Sequence, residues 1–438
     1  MFNYADDLPD GVTQDDIPNA DNRPETKPVP PHLNPAMYLP DEFWESHGIL
    51  RHVRDYSFAL GASPDAALYV ALANLVANVY PEAKIKSPLG DASMNLYVAV
   101  VGSSGHGKGK ADGAGRSALQ IVKNMDELTP WRGFGTGEGV LKEYAELNNG
   151  NRLFFHAPEA DQMISVGSRN SATLNSVLRQ GWLAEGIGFT NKGTAYREPP
   201  LDEHSYRMCI SVGLQPEKSG PLFADGYGGL PQRFLYAPVS APGLLALGEI
   251  PEEIPNVAVW QGFGNRHPSV TLEQSIRTEV RVQRFLMNTG QLEVDPLDTH
   301  VMLNRLKAAA ALAYLIGKEP HVTEEIWGLA GLMIERSCAT RDYALSVLHE
   351  KRMTAASADG KVLAHRDDVR DDARELKLKD RTYERVRAVL APDGTKMTEG
   401  ALARKISTAQ REVLPEVLDV LVERGVLGTS EGEFWLKS

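Results

Sequence analysis

The sequence predicts an α/β protein built on a P-loop NTPase core, RecA-like or AAA+-like, with helical flanking regions and a C-terminal winged helix-turn-helix. Three observations predict it. An apolar run, Leu96 to Val101, ends in a turn rich in Gly and Ser, and a small-residue helical stretch follows, Ala111 to Val122. Strand, glycine loop and helix in that order are the setting of a phosphate loop. Two further apolar runs, Arg152 to His156 and Tyr206 to Gly213, read as buried strands of the same sheet. Near the C-terminus, three short helical stretches precede a glycine-punctuated hairpin.

The phosphate loop carries the most specific signal. Gly102 is followed by four residues, then Gly107 and Lys108. Glycines let successive backbone N–H groups turn inward around phosphate oxygens, and the helix N-terminus adds partial positive charge. Lys108 would reach the β- and γ-phosphates. The candidate nucleotide-binding set is Gly102, Ser103, Ser104, Gly105, His106, Gly107, Lys108, Gly109 and Lys110, and the expected ligand is ATP with Mg²⁺. One position departs from the motif. Gly109 stands where a Ser or Thr hydroxyl would bind magnesium, which leaves the ion to water or to another residue. Adenylate kinases also carry glycine there, so nucleotide binding is compatible with it. The alternative is a strand-to-helix turn that binds nothing.

Composition bounds the rest. At 438 residues the chain has room for about two to four domains. Its 42% apolar and 24% charged residues are those of an ordinary soluble globular protein. A net charge of −12 argues against a uniformly basic nucleic-acid surface, though not against a local basic lining such as the inside of a ring. Cys209 and Cys338 stand far apart without metal-ligand spacing, which points to a reducing compartment. The acidic start, with Asp6 and Asp7, lacks the basic region of a secretory leader. The apolar stretch Ala308 to Ile316 is too short to span a bilayer. The expectation is a cytoplasmic protein with no membrane contact.

Residues 1–35 are rich in Asp, Pro and Asn; Pro28, Pro30 and Pro31 block helix and strand alike. A disordered acidic arm is predicted there. Residues 36–95 form a helical lead-in. Ser63 and Pro64 open a helix over Asp65 to Val79 that is almost all small or aliphatic, hence buried.

Residues 96–245 are read as the ATPase core. A glycine-crowded loop, Gly133 to Gly139, follows the phosphate-loop helix, with Thr136 and Glu138 as its chemically able side chains; a helix over Val140 to Leu147 comes next. The strand Arg152 to His156 ends in Ala157-Pro158-Glu159-Ala160-Asp161. Hydrolytic P-loop enzymes need carboxylates at the end of a neighbouring strand: one to hold the magnesium water, the next to polarise the attacking water. Glu159 is therefore the expected catalytic base, and Asp161 a candidate metal ligand, because Pro158 stands where the usual Asp would be. The alternative is that both acids simply cap a strand end. The helical stretch Ser171 to Trp182 is flanked by Arg169, Arg179, Lys192 and Arg197, which suit DNA phosphates or an ordinary solvated face. Gln215, just past the strand Tyr206 to Gly213, is placed to read the γ-phosphate. Arg233, between Gly228-Gly229 and a further strand, suits an arginine finger acting on a neighbour's nucleotide or a structural brace.

Residues 246–352 form a helical subdomain. In its first helix, around Glu273 to Leu286, Arg277, Arg281 and Arg284 share one face, either solvated or facing DNA. Helices over Asp298 to Ile316 and from Thr323 follow. His300, His321 and His349 lack metal-like spacing and are read as structural. Residues 353–378, charged in both signs, are an expected linker or solvated helix. Residues 379–438 supply the winged helix: helices over Arg381 to Leu390, Gly400 to Ile406 and Gln410 to Arg424, then a hairpin from Gly425 to Lys437. The third helix carries Glu412, Glu416, Asp419 and Glu423, a poor charge for phosphate contact. Arg404, Lys405 and Arg411 suit DNA docking; a protein-protein role is the alternative.

A resemblance now has residues to stand on. The order Asn95 to Gly102 with Gly105-His106-Gly107-Lys108-Gly109, then Gly135-Thr136-Gly137-Glu138-Gly139, Glu159-Ala160-Asp161, Gln215-Pro216 and Pro231-Gln232-Arg233-Phe234 resembles the P-loop ATPase or helicase-like replication proteins of phages, prophages and integrative elements of high-GC bacteria. It covers roughly residues 40 to 350 and, more loosely, the C-terminal winged helix. In such relatives the strand end usually reads Asp-Glu-x-Asp, so Pro158 is again the departure. Some relatives carry an upstream primase-polymerase domain, for which this chain leaves no room. The resemblance implies ATP binding and a role in replicating or maintaining a mobile element.

Two functional readings follow. The first is an oligomeric, DNA-stimulated ATPase and helicase, a ring such as a hexamer, with single-stranded DNA in the core and duplex at the winged helix. The second is a nucleotide-binding initiator or adaptor with little turnover, which recruits a host replication protein. Gly109 and Pro158 put hydrolysis, more than binding, at issue.

Overall fold

The computed structural model describes residues 34–122, 128–147, 151–188, 199–224, 229–242, 250–258, 267–391 and 395–437, without the side chains at 122, 161–162, 164–172 and 355–376. The expected N-terminal arm lies outside the described residues up to position 33, as do Lys192 and Arg197. The chain opens with α1 (Asp41–Glu45), α2 (Gly48–Ala59) and α3 (Pro64–Ala77). The start of α3 is the predicted one: Ser63 Oγ accepts from Ala66 N at 3.4 Å, and Pro64 takes the first turn. Being apolar all round, α3 is buried on every side.

A hairpin of β1 (Ile85–Ser87) and β2 (Gly90–Ala92) leads into β3 (Tyr97–Val101), after which the glycine loop enters α4 (Lys108–Ser117). The helix stops short of the predicted Val122. Gly113, Gly115 and Ser117 weaken it, and the residues beyond form β4 (Gln120–Val122) instead. Then come β5 (Trp131–Arg132), α5 (Gly137–Ala145), β6 (Arg152–Ala157), α6 (Ala160–Leu183), β7 (Arg207–Leu214), α7 (Gly220–Ala224) and β8 (Phe234–Pro238). β4 pairs in parallel with β9 (Asn256–Ala258), where Ile121 lies opposite Val257. β10 (Thr271–Leu272), α8 (Gln274–Asn288), α9 (Val301–Ile316) and β11 (His321–Val322) precede α10 (Glu324–Leu390), a single helix of 67 residues. The stretch 353–378 is thus helix rather than irregular linker. No helix among the described residues is long and apolar enough to cross a membrane.

The central sheet has five strands in the order β5-β6-β7-β3-β8, every pair parallel. Side chains alternate across it with period two. Val98 and Val100 of β3 join the core under α3 and α9, while Tyr97, Ala99 and Val101 join the core under α5 and α6. All eight positions of β7 are buried, as befits a parallel strand covered on both faces. Because β7 lies between β3 and β6, the strand leading to Glu159 is not the neighbour of the strand that leads into the glycine loop. The sequence reading expected it to be.

Buried cations hold the N-terminal end of this sheet. Arg207, which starts β7 and is 1% exposed, donates to the carbonyls of Val79, Tyr80 and Ala83, just past α3, and to Asn95 Oδ1. Those carbonyls belong to the loop that follows α3, outside any regular hydrogen-bond ladder. Lys307 of α9 is as deeply buried; Nζ donates to Asn95 O (2.7 Å) and Trp182 O (2.5 Å) and lies 4.0 Å from the Trp182 ring centre. Burial pulls the Lys307 ammonium well below its ordinary range. Arg152, at the start of β6, stacks 4.1 Å over Tyr80.

From Lys351 the chain forms a second unit with its own core. The end of α10 is followed by β12 (Met397–Thr398), α11 (Glu399–Ala403), α12 (Thr408–Glu423), β13 (Leu427–Ser430) and β14 (Glu433–Leu436). The three strands form an antiparallel sheet in the order β12-β14-β13. Ser407 and Gln410 close a capping box at the start of α12. Leu402, Leu414, Leu418 and Leu421 pack with Val386, Leu390 and Leu427.

Arg207→Ala removes the donors for four acceptors at once, three of them buried. The expected loss is about 3–5 kcal/mol of unfolding free energy, read from urea titrations of the purified wild-type and variant proteins.

Candidate functional site

The loop after β3 is built for close approach. Gly105 (φ 82°) and Gly107 (φ 86°) take left-handed backbone conformations, and Gly107 is the N-cap of α4. At Gly102 a Cβ would lie 2.1 Å from Val239 Cγ2. Ser104, Gly105 and His106 are exposed at the tip, and Lys110 is exposed on the first turn of α4. A Cβ at Gly109 would meet nothing within 4 Å, so packing does not require glycine there.

Lys108 opens α4. Its Nζ donates to Gly102 O (2.8 Å) and Ser103 O (2.9 Å), so the ammonium is folded against its own loop. Burial draws its pKa below the ordinary lysine value, and the nearby carboxylates of Glu159 and Glu217 oppose that. At the ends of β6 and β7 the chain presents Glu159 and Gln215. Glu159 is the extended N-cap of α6, and its Oε1 accepts from Gln215 Nε2 at 2.8 Å. Gly213 makes this junction possible: a Cβ there would lie 2.0 Å from Pro158 O and 3.4 Å from Lys108 Cδ. Lys108, Glu159 and Gln215, far apart in sequence, thus meet at the C-terminal edge of the sheet. Asp161 lies in the first turn of α6; its side chain, like that of Arg169, is outside the described residues.

Arg233 is elsewhere. Tyr97 pairs with Phe234 and Val101 with Pro238, so Arg233 lies at the N-terminal edge, about 20 Å along the strands from the loop. It is 8% exposed, hydrogen-bonds Gly229 O and lies 5.5 Å from the Trp182 ring centre. Arg233 thus lies with Arg207 and Lys307 at the N-terminal edge of its own sheet, away from the glycine loop of the same chain.

Two features escaped the sequence reading. Ser103 Oγ donates to Glu217 Oε1 at 2.6 Å, so the turn after β7 touches the glycine loop. Asp112, one helical turn beyond Lys108 and 4% exposed, accepts from Ser211 Oγ (2.9 Å) and lies 3.5 Å from His156 Nδ1 and 3.2 Å from Arg116 Nε. It ties α4 to β6 and β7. Its spacing from Lys108 places both on one helix face, a signal the sequence did contain. Nothing local to Glu217 announced its contact, which spans 114 positions.

No family model matches the chain, and no curated protein does. Among solved structures, it is similar to one described as "SCCmec type IV Cch - active helicase", with 12% identity, a TM-score of 0.23, and coverage of 90% of this chain and 68% of that one. The likeness is distant, and the residues above stand on their own geometry.

His300 packs 5.2 Å from the Trp182 ring centre. Burial first, then Arg233 and Lys307, push its pKa down to about 4. Between about 4 and the unfolded value near 6.5, the unfolded chain binds more protons, so stability falls as pH drops through that window. Urea midpoints measured from pH 7 to pH 4.5 are expected to decline in the wild type and to decline less in His300→Asn.

Proposed function

We propose that this protein is an oligomeric, DNA-stimulated ATPase that acts as a helicase-like motor in replicating a mobile element or prophage. The observation that carries the reading is the meeting of Lys108, Glu159 and Gln215 at one sheet edge, beside a loop with two left-handed glycines. Backbone N–H groups from Gly102 to Lys110 cradle the phosphates of ATP. Lys108 exchanges its loop carbonyls for phosphate oxygens. Glu159 takes the proton of the attacking water, and Gln215 orients that carboxylate and senses the γ-phosphate. Magnesium would be held by one or two carboxylates together with the substrate phosphates, and would neutralise charge on the transferred group.

The second unit is read as a winged helix-turn-helix. Its order of helix, α11, α12 and three-stranded sheet supports this. The ring, a hexamer in this reading, surrounds single-stranded DNA in the cytoplasm, and the winged helix meets duplex DNA or a host replication protein. The adaptor reading has its own support: Gly109 and Pro158 remove two magnesium-side groups, and α12 presents Glu412, Glu416, Asp419 and Glu423.

ATP hydrolysis with and without single-stranded DNA, alongside nucleotide binding, separates the two. The motor predicts DNA-stimulated turnover, reduced about 100-fold or more in Glu159→Gln and abolished with binding in Lys108→Ala. Tight binding without turnover in the wild type leaves the adaptor.

A further inference from the structure

The phosphate loop has lost its usual magnesium-side pair, a hydroxyl just past the lysine and a carboxylate at a strand end: Gly109 and Pro158 occupy those places. A hydroxyl and a carboxylate nevertheless meet at the loop. Ser103 Oγ, on the first residue after Gly102, donates to Glu217 Oε1 at 2.6 Å. Glu217 sits in the single turn Pro216–Lys218 that leaves β7 directly after Gln215. It lies close enough to Lys108 to act on its charge. Among the described residues no group of three or more His, Cys, Asp or Glu is placed to hold a metal by itself. Magnesium at a nucleotide site needs less, one or two carboxylates completed by the substrate's phosphates.

Resting on the nucleotide-site reading above, we propose that Glu217, presented with Ser103, is the magnesium-side carboxylate of this site and the group that makes nucleotide binding depend on the cation. The physical reason is charge. A carboxylate in contact with the first residue of a phosphate loop repels a bare triphosphate, and a divalent cation between them converts repulsion into attraction. Gln215 and Glu217 then divide the turn after β7: one orients Glu159, the other faces the metal side.

The test measures affinity for a fluorescent ATP analogue in Mg²⁺ and in EDTA, in wild type, Glu217→Gln, Ser103→Ala, Glu159→Gln and Asp161→Asn. The expected wild-type affinity is at least about tenfold higher with Mg²⁺. In Glu217→Gln this ratio collapses from both sides, binding being stronger in EDTA and weaker in Mg²⁺; Ser103→Ala narrows it partly and Glu159→Gln preserves it. A wild-type ratio retained in Glu217→Gln overturns the inference while leaving the nucleotide site intact. So does a collapse in Asp161→Asn alone, or an equal tightening of Glu217→Gln in both conditions, which would make Glu217 a mere repulsive charge. Absence of binding in the wild type under either condition overturns the nucleotide-site reading itself.

Discussion

Every strand of the central sheet runs the same way, and that common direction gives its two ends opposite chemistry. At the C-terminal edge the chain turns from strand into helix, with backbone N–H groups at the start of α4. At the N-terminal edge, loop carbonyls and the last turn of α6 present acceptors that need donors. Arg207, Lys307 and Arg233 supply donors there, and each is no more than 8% exposed. Cations are gathered at one end of the sheet, glycines and carboxylates at the other. Arg233 makes the division concrete, since it lies at the N-terminal edge of its own sheet, at the opposite end from the glycine loop.

The inserted strand β7 shapes the candidate site. It separates the glycine loop from Glu159 by one strand width, and its last residues and the turn after it fill that gap. Gly213 lets Lys108 and Pro158 approach, Gln215 reaches Glu159, and Glu217 reaches Ser103. Lys108, Glu159 and Ser103 thus all adjoin the end of β7 or the turn that follows it. Beneath it, Asp112 joins α4 to Ser211 and His156. Movement of the loop helix would therefore be felt by β6 and β7 through a buried polar contact, which low local polarity strengthens.

The second unit is organised by different means. Its core is a handful of leucines and valines around α12 and a small sheet, closed by a capping box and by Trp435 lying against Gly428. Lys379 reaches Glu416 at 2.6 Å, so one acid of α12 has a cation from its own unit. The other acids of α12 are Glu412, Asp419 and Glu423.

By itself the sequence determined what is local. The apolar run to Val101, the glycine spacing to Lys108, the Ser63-Pro64 helix start and the acid after β6 all depend on neighbours within a turn or two. Each was legible for that reason. The extent of α4 was less so, because Gln120 to Val122 become strand only when Asn256 to Ala258 lie alongside. Tertiary structure alone decided the strand order. That order placed Gln215 between Lys108 and Glu159, brought Glu217 to Ser103, and set Arg233 at the far edge. Pairing between strands more than a hundred positions apart is chosen by burial of both sheet faces and by which crossovers close, and no short window of residues carries that information.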